Sequence, residues 1–131
     1  MQIISSLIFL WLLVFGLTGH AKPKEIEHKI LVIIGDEKTV FNFVPAKKSV
    51  TLKDRAGKLS QFTLNDEGLK HFDGLFAQDF GPNDDLSKCP QKYVRYSSGS
   101  KVAKGCIGRP SKAAKGLTDL TNALSGLFAD K

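Results

Sequence analysis

Cys89 and Cys106 are the chain's two cysteines, and a bond between them constrains the fold more than any other local feature. Two cysteines allow one intramolecular pairing; the alternative is a bond between two chains. Gln91 to Tyr96 reads as a strand, Ser97-Ser98-Gly99 as a turn, and Ser100 to Cys106 as the returning strand. A turn centred near Ser97 and Ser98 puts Cys89 opposite Cys106, within the Cα distance that a disulfide needs. Closing a loop of this length contributes ~3 kcal/mol in the chain-entropy picture. The spacing is far too long for a redox CxxC pair, so the bond reads as a structural staple.

The same stretch carries the charge. Between Ser87 and Lys115 stand Lys88, Lys92, Arg95, Lys101, Lys104, Arg109, Lys112 and Lys115, with no Asp or Glu among them. The formal net charge is +6, and the rest of the chain is close to neutral. Eight cations on a tethered hairpin would draw an anionic partner: membrane headgroups, a polysaccharide, an acidic protein or nucleic acid. Lys92, Arg95, Lys101, Lys104, Arg109 and Lys112 are the candidate contacts, and Tyr93 and Tyr96 are the aromatic residues interleaved with them. The competing reading is a solvated edge hairpin whose lysines suppress sheet-to-sheet pairing.

A disulfide implies an oxidising compartment, and the N-terminus agrees. Ile3 to Gly19 is apolar apart from Ser5, Ser6 and Thr18, and Gly19-His20-Ala21 places small residues at the positions a signal peptidase reads. Residues 1–21 are therefore expected to be a signal peptide cut after Ala21, giving a secreted or periplasmic protein. The n-region lacks Lys and Arg, which keeps open a membrane anchor through residues 3–19. Residues 22–28 form a polar lead-in, and 29–131 form one domain. A chain of this size buries about two-thirds of its unfolded surface.

Within the domain, apolar periodicity orders the elements. Lys29 to Ile34 and Thr39 to Val44 are β-rich runs around the turn Gly35-Asp36-Glu37-Lys38. The first run is apolar on both faces, which predicts a central strand. Ser49 to Lys53 and Leu59 to Leu64 repeat the pattern around Asp54-Arg55-Ala56-Gly57. Asn65 then caps a helix with Leu69, Phe72, Phe76 and Phe80 on one stripe, stopped by Gly81-Pro82. After the cysteine hairpin, Pro110-Ser111 opens a last helix lined by Leu117, Leu120, Leu124, Leu127 and Phe128. The order β-β-β-β-α-β-β-α predicts an α+β fold: an antiparallel sheet of about six strands with two amphipathic helices on one face.

Catalytic signatures are sparse. His28 and His71 lie outside HExxH and CxxC patterns, and no G-x-S-x-G elbow or N-x-S/T sequon occurs. Asp79, Asn83, Asp84 and Asp85 lack the glycine and bidentate Glu of an EF-hand loop, so this segment reads as a solvated connection. Gly99, Gly105 and Gly108 with Lys101 and Lys104 miss the Gly-Lys-Ser/Thr of a phosphate loop. No metal or cofactor is implied. The expectation is a non-enzymatic exported binding module. One alternative is a small hydrolase using His71, although Asp73 at i,i+2 points away from it. Another is a protease inhibitor offering Arg95 or Lys101 on a disulfide-held loop.

Overall fold

The computed structural model describes residues 26–129. The expected signal peptide and most of the polar lead-in lie outside those residues. The described chain runs β1 (His28–Ile34), β2 (Glu37–Val44), a 3-10 turn (Pro45–Lys47), β3 (Ser49–Lys53), β4 (Leu59–Thr63), α1 (Asp66–Ala77), a second 3-10 turn (Leu86–Lys88), β5 (Lys92–Ser98), β6 (Lys101–Cys106) and α2 (Lys112–Gly126). The domain is α+β: six antiparallel strands in one sheet, ordered β4-β3-β2-β1-β5-β6, and two helices.

Local chemistry accounts for the hairpins. Ile34 pairs with Glu37, so Gly35-Asp36 is a two-residue turn, and Gly35 supplies the positive φ (64°) its first position requires. In the β3–β4 turn the Asp54 carboxylate accepts from the Ala56 and Lys58 amides, both at 2.9 Å. In the last hairpin Ser98 pairs with Lys101, which places the turn at Gly99-Ser100 rather than Ser97-Ser98. The register shifts accordingly. Tyr93, not Cys89, lies opposite Cys106. Cys89 reaches its partner from the end of the second 3-10 turn, with the two Cα atoms 5.8 Å apart.

One face of the sheet holds the core. Ile30, Val32, Phe41, Phe43, Val50, Val94, Tyr96 and Ala103 point inward and pack with Phe72 and Phe76 of α1 and Leu117, Leu120 and Leu124 of α2. Phe43 stacks on Phe76 at 5.1 Å between centroids. Gly105 of β6 lets α2 approach closely: a Cβ there would lie 2.8 Å from the Ala114 Cα. β1 is central, flanked by β2 and β5, as its apolar run predicts.

Two helix ends differ from expectation. α1 stops at Ala77, short of Gly81-Pro82. Its last carbonyls find side-chain donors instead: Lys101 Nζ bonds the Phe76 and Gln78 oxygens at 3.1 and 3.2 Å, and Gln78 Nε2 bonds Leu75 O. Phe80 is still buried, but from the loop beyond. α2 ends at Gly126, and Phe128 packs past its end against Phe41 and Phe62.

The acidic loop is more than a solvated connection. Asn83 Oδ1 accepts from the Lys104 amide, the Asp84 amide donates to the Lys104 carbonyl, and Asp84 Oδ2 accepts from the Cys106 amide at 2.9 Å. The loop thus occupies the outer edge of β6, where unpaired backbone groups would otherwise offer a template for another strand. The same Asp84 oxygen accepts from Ser111 Oγ at 2.8 Å, and Ser111 caps α2 through the Ala114 amide.

Candidate anion-binding face

Both helices cover the same side of the sheet, and among the described residues nothing covers its other side. Alternation on the strands decides what stands there. Lys29 of β1, Lys38 of β2, Lys53 of β3, Arg95 of β5 and Lys104 of β6 all point outward. Cross-strand pairing sets Lys53, Val40, Leu31, Arg95 and Lys104 in one continuous row. Neighbouring strands lie about 4.8 Å apart, so the row from β3 to β6 spans roughly 19 Å. No outward strand position of the sheet is Asp or Glu. Among the described residues, none of these five cations takes part in a salt bridge.

Three of the five gather in a trough. Lys29, Lys38 and Lys53 surround a hollow of about 400 Å³ floored by Val40 and Asn42. The β3–β4 turn forms one wall, where Asp54 is held by its turn amides and Arg55 is paired with Glu37. The Asn42 side-chain oxygen is buried with no hydrogen-bond partner among the described residues.

The structure divides the residues predicted from the hairpin. Arg95 and Lys104 join the open face, and Tyr93 lies half-buried on it, opposite Ile33 and Cys106. Lys92 pairs with Ile34 on the opposite parity. Lys101 turns to the helix side and lies over the Phe80 and Tyr96 rings at 5.7 and 5.8 Å. Arg109 is on the loop after β6, and Lys112 opens α2, 3.8 Å from Asp79. Tyr96 is fully buried and offers no contact to a partner, which corrects its role as a surface aromatic. Sequence reading missed Lys29, Lys38 and Lys53. For Lys29 and Lys53 the signal was present in the alternation of their strands, but neighbouring acids hid it in the charge count. The sequence pattern places Lys38 in a turn, whereas β2 begins at Glu37.

A second polar cluster lies on the helix side of the sheet, where β1 begins. His28 stacks on Phe76 at 4.6 Å, and its Nδ1 shares a hydrogen bond with Tyr96 Oη at 2.6 Å. Burial pushes the imidazole below its ordinary pKa, the Asp73 carboxylate pulls it back up, and the Lys101 ammonium pushes it down. Burial raises the Tyr96 phenol, and a hydrogen bond with Ser98 opposes that rise. His28, Asp73, Ser98, Ser100 and Lys101 line a shallow hollow of about 630 Å³.

His71 does not share that hollow. It is exposed on α1, edge-on to Phe72 at 5.4 Å, beside a mostly apolar depression lined by Phe62, Leu64 and Leu127. Asp73 lines the hollow beside His28 and acts on it through its charge. Arg95 lies inside the ladder between Leu31 and Lys104, and Lys101 is bound to the end of α1, so neither stands on a protruding loop. Among the described residues no group of three His, Cys, Asp or Glu side chains could hold a metal, and no helix is long and apolar enough to cross a membrane.

No protein family, curated protein or solved structure matches this chain.

Proposed function

We propose that the protein is an exported, non-enzymatic binding module that holds an anionic partner on the uncovered face of its sheet. One observation carries the reading: five basic side chains from five strands share that face, and none of its strand positions is acidic, with Asp54 on the trough wall and Glu27 beside Lys29 standing outside the strands. A low-dielectric body behind such a surface strengthens its potential toward polyanions. The Cys89–Cys106 bond supports export, as does the apolar run before Lys22. The hairpin contributes Arg95 and Lys104, and the first three strands contribute the rest.

Retention on heparin and on anionic vesicles across a salt series tests the reading. The triple variant Lys29→Glu, Lys53→Glu, Lys104→Glu is compared with Lys70→Glu, Lys88→Glu, Lys115→Glu, which changes net charge equally away from the face. Exposed contacts are screened over about 8 Å at physiological ionic strength, so binding should fall steeply with salt. The face triple should abolish retention while the control keeps most of it. Equal losses, or no retention of the parent protein at low salt, would overturn the proposal.

A further inference from the structure

We infer that the anionic partner is an acidic polysaccharide, a chain carrying sulfate or carboxylate groups beside free hydroxyls; this rests on the proposed function above. The open face carries two kinds of row. The charged row contains Lys53, Arg95 and Lys104. Two residues along each strand, about 7 Å away, runs Thr51, Asn42, Lys29 and Ser97. A ligand lying across the strands therefore meets three cations on one side and, on the other, hydroxyl and amide groups around the single cation Lys29.

Asn42 sharpens the choice. Among the described residues its Oδ1 is an acceptor buried at the trough with no partner, so its complement is a hydrogen-bond donor. A sugar hydroxyl next to an anionic group meets both demands once side-chain rearrangement at the trough exposes the Asn42 oxygen. The trough floor at Val40, continued by Leu31, suits the C–H faces of a pyranose ring.

The same face is a poor match for the other polyanions. Sequence-tolerant binding of single-stranded nucleic acid relies on aromatic platforms. Tyr93 is the one aromatic residue at an outward strand position, and Phe41, Phe43, Phe62 and Tyr96 all lie on the helix side. A bilayer surface favours clustered apolar side chains that can insert. Here the large exposed apolar residues, Ile26, Ile34, Leu59 and Val102, are dispersed, and the apolar floor of the trough is recessed between lysines.

Calorimetric titration of the full, disulfide-intact protein would use three probes at one salt concentration: a size-defined heparin oligosaccharide, an oligothymidylate of equal charge, and phosphatidylglycerol–phosphatidylcholine vesicles. The oligosaccharide should bind tightest. Asn42→Leu should weaken the oligosaccharide about tenfold, the scale of one lost polar contact, and leave the oligothymidylate unchanged. If Asn42→Leu does not fold, Thr51→Val takes its place, with a smaller loss in the same direction. Oligothymidylate or vesicles binding as tightly as the oligosaccharide would overturn this inference and leave the anion-binding face standing. So would equal weakening of all three probes by the variant. No binding to any probe would overturn both.

Discussion

His28 Nδ1 and Tyr96 Oη lie 2.6 Å apart, although 68 residues separate them in the chain. The contact joins the start of β1 to the middle of β5 under α1. In the unfolded chain a histidine protonates near pH 6.5. In the folded protein the His28 pKa is lower, chiefly through burial. The unfolded state therefore binds the proton first as pH falls. Stability is full above about pH 6.5 and declines as pH drops from there through the folded value. Urea midpoints at pH 7.5 and 5.0 should differ in the parent protein. The difference should shrink in His28→Phe, which removes the titration and keeps an aromatic ring.

Gly105 has no room for a side chain. A Cβ would lie 2.8 Å from the Ala114 Cα and 2.9 Å from its nitrogen, and both are backbone atoms of α2. Gly105→Ala should push the helix off β6 and cost ~1–3 kcal/mol, read from equilibrium denaturation. Gly74 gives the contrast: it stands on an exposed part of α1, and a Cβ there would meet nothing within 4 Å. Gly74→Ala should stabilise the protein by up to ~1 kcal/mol.

The Cys89–Cys106 bond ties the second 3-10 turn to the last residue of β6. Non-reducing peptide mapping should recover the linked pair. Replacing both cysteines by Ser should lower stability by ~2–4 kcal/mol. Unchanged stability in the double variant would mean that the surrounding contacts hold the turn alone.

Asp84 supports two elements at once, through the Cys106 amide and the Ser111 hydroxyl. Asp84→Ala should cost ~1–3 kcal/mol, because it removes the acceptor of both donors. Hydrogen exchange at the Lys104 and Cys106 amides should accelerate well before global unfolding. The variant should also self-associate more readily, since the β6 edge loses its cover.

The strands, both amphipathic helices and the cystine were legible in the sequence because each is written in short-range pattern. Alternation marks the hairpins, a 3.6-residue period marks Phe72 and Phe76, and Asn65 and Ser111 announce their caps. Two cysteines leave a single internal pairing. By itself the sequence also determined that Lys29, Lys53, Arg95 and Lys104 each hold one parity within their own strands, whereas Lys38, part of a turn by its sequence pattern, joins β2 only in the structure. Only the tertiary structure decided that these parities coincide. After β4 the chain returns along the helix side and lays β5 beside β1, not beside β4. That choice joins Arg95 and Lys104 to the lysines of the first three strands, buries Tyr96 and brings His28 to it. It depends on how both helices share one apolar sheet face, a long-range packing that no local window encodes.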